Sequence, residues 1–67
     1  MNETVTFIEV SCDAETDKAL HCLGEDLGEK GAWVPKSQVH DDSEIFKKGH
    51  TGTLVVTYWW AEEAKLI

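Results

Sequence analysis

The side chains that could do chemistry are His21, Cys22, His40, Asp41, Asp42 and His50, which are metal-ligand types, and Cys12 and Cys22, which can pair or act as nucleophiles. Structural zinc sites pair their ligands at C-x₂₋₄-C or H-x₃₋₅-H spacing, and no such pairs occur here. The "HDD" at 40–42 lacks the alternating acids and the glycine of a calcium loop. It reads as a solvated turn, with Asp42 or Ser43 capping the next segment. Ser11, Ser37 and Ser43 sit in no nucleophile elbow. Neighbours on a strand point to opposite faces, so His21 cannot serve Cys22. Gly49 and Gly52 flank "HT" as a turn, with no phosphate-loop pattern around them. The reading is therefore non-enzymatic, with no catalytic group, no metal and no cofactor expected.

What the chain does carry is negative charge. Its formal net charge is -7 over 67 residues. Residues 1–29 hold eight carboxylates (Glu3, Glu9, Asp13, Glu15, Asp17, Glu25, Asp26 and Glu29) against Lys18. Residues 30–67 balance five acids with five lysines, so the whole excess sits in the first half. There is no Arg, the residue whose planar fork grips phosphates and guanine edges. Phosphate neutralisation supplies most nucleic-acid affinity, so direct nucleic-acid binding is not expected. The charge suits a basic protein surface, or solubility alone.

A chain of this length forms one small domain, residues 1–67, with a marginal core. Apolar residues make up 42% and charged residues 28%, a globular composition. No apolar run approaches a membrane span, and "MNETVTFIEV" lacks the basic start of a signal peptide, so a cytoplasmic protein is expected.

The scaffold for these groups can be read from periodicity. "TVTFIEVSC" (4–12) reads as a strand with Ile8, Val10 and Cys12 on one face. "DAETD" (13–17) reads as a turn. "KALHCL" (18–23) reads as a second strand, Leu20 and Cys22 on one face and Ala19, His21 and Leu23 on the other. A simple hairpin around "DAETD" places Cys12 opposite Lys18 and Cys22 opposite Ile8, too far apart for a disulfide. Both cysteines are then expected free and buried. "GEDLGEKG" (24–31) is a loop. "AWVP" (32–35) is a third strand that Pro35 ends, and "KSQV" can make a helical turn behind it. "SEIF" fits a short strand or one helical turn, and "KKGHTG" is a turn. "TLVVTYWW" is the clearest strand. "WWAEEAKLI" changes to a helical period with Thr57 as N-cap, Trp60, Ala64 and Ile67 on one face and Trp59 and Leu66 on another.

The expected fold class is α+β. It comprises a small, mainly antiparallel β-sheet of three to five short strands, SH3-like or OB-like half-barrel in form, and one C-terminal helix. Trp33, Tyr58, Trp59 and Trp60 are many aromatics for so short a chain, and at least two of the three Trp are expected in the core. One of Trp59 and Trp60 is expected at the surface, where aromatics anchor interfaces.

The pattern "WVPKSQV…DDSEI…GHTGTLVVTYWWAEEAKL" (33–66) resembles a short module of bacteriophage and prophage accessory proteins. Those proteins share a Trp-aliphatic-Pro-x-Ser-Gln stretch, an Asp-Ser-Glu step, and an aliphatic strand entering a Trp-Ala helix. The resemblance covers about half the chain and carries no assigned activity. It implies a phage context in the host cytoplasm. Small acidic phage proteins often block host nucleic-acid-handling machinery, as anti-CRISPR and other anti-defence inhibitors do, sometimes by mimicking DNA.

The expected function is thus an acidic interaction protein that binds a basic partner. Glu9, Asp13, Glu15, Asp17, Glu25, Asp26 and Glu29 supply the field, and Trp60 supplies an apolar anchor. Two alternatives stand beside it. One is a β-barrel module touching single-stranded nucleic acid through Trp33, Tyr58 or Trp60 with Lys36, Lys47 and Lys48. The other is a homo-oligomeric structural protein.

Overall fold

A computed structural model describes residues 3–67. Four strands, β1 (Thr4–Glu15), β2 (Ala19–Leu23), β3 (Ala32–Pro35) and β4 (Thr51–Thr57), precede one helix, α1 (Tyr58–Glu63). The strands form one antiparallel sheet in the order β3-β2-β1-β4. The first three make a meander, and β4 returns to the free flank of β1. This half-barrel with one C-terminal helix is the expected α+β architecture.

The core side of the sheet carries Phe7, Val10, Cys12, Leu20, Cys22, Val34, Leu54 and Val56, closed by Leu27, Ile45, Trp60 and Ala61. Leu20 and Cys22 alternate into it as the two-residue period requires. β3 ends at Pro35, and a 3-10 turn over Lys36–Gln38 comes directly after it. β3 pairs with β2 alone, so the proline falls on an edge strand, where its missing N–H breaks no ladder. A second 3-10 turn, Glu25–Leu27, interrupts the 24–31 loop and buries Leu27.

Three features of the fold differ from the expected ones. Strict alternation puts Ile8 on the core face with Val10, yet Ile8 is 66% exposed, and Phe7 takes the core position. The cause is a β-bulge. Phe7 pairs with Leu54 and Val10 with Gly52, so two residues of β1 oppose Thr53 alone. Glu9 turns the chain there in the left-handed region, with φ 52°. The extra residue reverses the alternation, so Phe7 and Val10 point the same way although three apart.

The hairpin register is also different. β1 continues through Asp13, Ala14 and Glu15, and the chain reverses at 16–18, where Thr16 N–H donates to the Ala19 carbonyl at 2.8 Å. Glu15 then faces Leu20 and, across a second bulge at Asp13, Cys12 faces Cys22 directly. The expected pairing of Cys12 with Lys18 would set a lysine on the same face as Leu20 and Cys22. The observed register puts Cys12 opposite Cys22 on that face, leaves Lys18 in the reversal, and confines the one charge there, Glu15, to its exposed end.

Third, α1 is shorter and rotated relative to the expected face. Thr57 caps it as expected, its Oγ1 accepting from Trp60 N–H at 3.3 Å. Trp60 and Ala61 are buried, Leu66 is half-buried, and Ala64 and Ile67 lie outside. The helix stops at a Schellman motif. Leu66 N–H donates to the Ala61 carbonyl at 3.0 Å, Lys65 N–H donates to the Glu62 carbonyl at 3.1 Å, and Lys65 has φ 60°. The reversal points Leu66 back at the core and leaves Ile67 outside.

The later part of the "AWVPKSQVHDDSEI" stretch, Val39 to Glu44, covers the open edge of β4, at the far side of the sheet from β3. Val39 bridges Val56, and His40 N–H donates to the Val55 carbonyl at 2.8 Å. Glu44 holds Thr53 at both ends: its N–H donates to the Thr53 carbonyl, and its Oε1 accepts from Thr53 N–H, each at 2.8 Å. Buried Ser43 joins the two layers. Its Oγ accepts from Ile45 N–H at 3.1 Å and donates to the Thr53 carbonyl at 3.3 Å. "SEIF" is therefore neither strand nor helix. It is an irregular strap whose N–H groups are satisfied by Thr53 of β4 at Glu44 and by His40, Ser43 and His50 at Ser43, Ile45 and Phe46.

Candidate interaction surface

The seven carboxylates expected to face a partner, Glu9, Asp13, Glu15, Asp17, Glu25, Asp26 and Glu29, are all exposed. The fold divides them between the two ends of β2. Asp13, Glu15 and Asp17 lie at the β1–β2 reversal. Glu25, Asp26 and Glu29 lie on the β2–β3 connection, and Glu9 joins them because Gly24 packs against Val10.

The two ends differ electrically. At the reversal, Lys36 Nζ meets Glu15 Oε2 at 2.6 Å, and Lys48 N–H donates to Glu15 Oε1 at 3.1 Å. The Lys36 hydrogen bond and then the Lys48 amide hold the Glu15 carboxyl below its ordinary value. Asp13 Oδ1 lies 2.6 Å from His21 Nδ1. At the other end, Glu9, Glu25, Asp26 and Glu29 make no ion pair among the described residues. The uncompensated field thus lies mainly around the 24–31 loop, where the 3-10 turn seats Leu27 in the core and turns its acidic residues outward.

The outer face of the meander carries a polar-aromatic pair. His21 lies opposite Trp33 in the β2–β3 register, and their rings stack obliquely with centroids 4.9 Å apart. The other ring nitrogen of His21, Nε2, lies 3.0 Å from the Lys30 carbonyl. Both ring nitrogens face acceptors, so the imidazole satisfies both only when it carries two protons. Trp33 is half-exposed above this clamp.

Trp60 does not serve as the surface anchor. It is 9% exposed and belongs to the core, whereas Trp59 is 62% exposed. The choice between the two tryptophans turns on the helix phase, which a one-residue shift at the N-cap inverts. With Thr57 as N-cap, the third helical residue faces the sheet and the second faces out. Trp59 and Tyr58 border a groove of about 600 Å³ between α1 and the 37–41 strap, with Glu3, Asp41 and Glu62 on its rim. Periodicity and spacing do not reveal this groove. Its parts come from three distant segments, joined by Tyr58 N–H donating to the Glu3 carbonyl (2.9 Å) and Thr57 Oγ1 to Gln38 Oε1 (2.6 Å).

Of the aromatic-and-lysine set, Trp33, Tyr58, Lys47 and Lys48 are exposed. Lys36 is committed to Glu15, and Trp60 is buried. Among the described residues no three metal-ligating side chains converge, and no helix is long and apolar enough to cross a membrane.

The cysteines are free, buried and directly opposed. Cys12 N–H donates to the His50 carbonyl (3.0 Å) and its own carbonyl accepts from Gly49 N–H (2.9 Å), so its backbone is turned away from β2. The Cys12–Cys22 pair is therefore of the non-hydrogen-bonded kind, which brings side chains closest. Burial, and then the Cys12 thiol beside it, pushes the Cys22 thiol up to about 12.

No family model, curated protein or solved structure matches this chain.

Proposed function

We propose that this protein is a non-enzymatic interaction protein that binds a basic, nucleic-acid-handling host protein through its acidic surface and blocks it. The sharp form is a phage-encoded anti-defence inhibitor, anti-CRISPR included, that occupies a nucleic-acid channel as a DNA mimic. The observation that carries this reading is the set Glu9, Glu25, Asp26 and Glu29. These carboxylates are exposed and without ion pairs among the described residues, in a chain that has no arginine. A surface meant only to stay soluble mixes both signs. Here one end of the meander sets four outward-facing carboxylates against Lys30 alone. Such a field speeds encounter with a basic channel and orients it.

The test is capture of host proteins on the immobilised chain at low and high salt, with and without competing duplex DNA. The wild type is expected to retain a nucleic-acid-binding protein that salt or DNA displaces. Changing Glu25→Gln, Asp26→Asn and Glu29→Gln together is expected to abolish retention without altering the fold. Retention that ignores both salt and these three changes sinks the proposal, and retention that DNA does not displace removes the mimicry.

A further inference from the structure

The groove beside α1 differs from the acidic loop in kind: it combines shape, aromatic faces and charge. Trp59 and Tyr58 are exposed on one wall, and Glu62 shares their face at three- and four-residue spacing. Asp41 stands on the opposite wall, carried by the strap that Val39 and His40 pin to β4. Glu3 reaches the same groove because its carbonyl accepts from Tyr58 N–H. No lysine lines the groove, and the carboxylates of Glu3, Asp41 and Glu62 form no ion pair or hydrogen bond among the described residues. An open aromatic wall facing three carboxylates with no ion pair among the described residues is complementary to a flat cation.

We propose that this groove receives an arginine side chain from an extended segment of a basic protein partner. The guanidinium is planar and weakly hydrated. It stacks on an indole face while its N–H fork reaches carboxylates at the rim, which a lysine ammonium does less well. A volume of about 600 Å³ holds the side chain together with flanking main chain. The wall hydroxyl of Ser37 and the Gln38 amide, whose Oε1 is taken by Thr57, leave donors for that main chain. This inference rests on the reading of the chain as a partner for a basic protein, and it gives that partner a specific anchor.

The probe is a blocked Gly-Arg-Gly peptide titrated into the ¹⁵N-labelled full chain, with Gly-Lys-Gly and the neutral isostere Gly-citrulline-Gly in parallel. The arginine peptide is expected to shift the Trp59 indole N–H and the amides of Ser37 to Asp41, saturating with a dissociation constant in the range of about 1 mM. The lysine peptide is expected to bind several-fold more weakly, and the citrulline peptide not to bind. Trp59→Ala, at an exposed site, is expected to leave the remaining spectrum in place and remove the response. Asp41→Asn is expected to weaken it several-fold. Equal shifts from citrulline, or arginine shifts confined to residues 24–31, overturn the groove and leave the acidic-surface reading standing. Groove shifts in a chain that captures no host protein keep the groove and overturn the broader reading.

Discussion

The opposed cysteines yield the most demanding prediction. Because Cys12 and Cys22 form a non-hydrogen-bonded cross-strand pair, their Cα atoms lie at about 4.5 Å, inside the range of about 4.4 to 6.8 Å that a disulfide spans. The perturbation is equilibration with a small-molecule disulfide such as oxidised glutathione. One thiolate attacks the reagent to give a mixed disulfide. The second displaces the reagent's remaining thiol, so the protein loses two hydrogens and the reagent becomes two thiols. The bond closes a loop of about 11 residues, for which chain entropy gives a stabilisation of about 2.8 kcal/mol. At roughly 4 to 8 °C per kcal/mol for a domain of this size, the melting temperature is expected to rise by about 10 to 20 °C, less any strain in the narrow pair. The reaction is expected to be slow, because Cys12 and Cys22 are 4% and 0% exposed and burial keeps Cys22 a thiol. Intact mass, alkylation and thermal denaturation of the oxidised monomer read the outcome. Persistent mixed disulfides, disulfide-linked dimers, or an intramolecular bond that lowers the melting temperature would refute the register argument.

Three other expectations concern the devices that shape the sheet. Glu9→Gly removes a left-handed cost of about 1 to 2 kcal/mol against about 0.4 to 1 kcal/mol of added unfolded-chain freedom, so equilibrium denaturation should show a gain of up to about 1.6 kcal/mol. Ser43→Ala leaves the Ile45 N–H without its partner in a buried place, and a loss of about 1 to 3 kcal/mol is expected, with faster amide exchange at Ile45. Glu15 titrates below its ordinary value when folded, so its contribution is present above that value and is lost as pH falls through the lower, folded one. Lys36→Met should flatten this acid limb in a series of denaturation midpoints between neutral pH and about 3.

How much of this is legible in the residues alone depends on whether the signal is local. "AWVP" before "KSQ" is legible because Pro35 both ends a strand and opens a turn. Leu20 and Cys22 are legible because strict alternation on a short strand admits one face. Thr57 is legible because a hydroxyl before a change of period is a cap. Ile8 is not, because nothing in "FIEV" marks a bulge: Glu9 occupies a conformation that glycine or asparagine would have announced. The cysteine register is hidden for a related reason. "DAETD" has turn composition, and only the cost of placing Lys18 on the apolar face shows that the strand runs on through Glu15. The seven carboxylates are legible as charge but not as two ends of different character, since the neutralising Lys36 ammonium and the Lys48 amide arrive from distant segments. The groove is illegible throughout, because Glu3, Asp41 and Trp59 meet only once β4 has docked.

That docking has a kinetic consequence. The meander β1–β2–β3 pairs neighbours in sequence, so its loops close early and at little entropic cost. The β1–β4 ladder joins Thr4 to Thr57 and Val5 to Val56, nearly the whole length of the chain. Contacts of that separation slow folding, and here they also complete the apolar core, since Leu54, Val56 and Trp60 all arrive with the last segment. The acidic meander would collapse into its final core only when β4 and the strap settle against β1. The rate-limiting barrier is then expected to depend on residues such as Leu54 and Val56 far more than on the hairpin tip at 16–18.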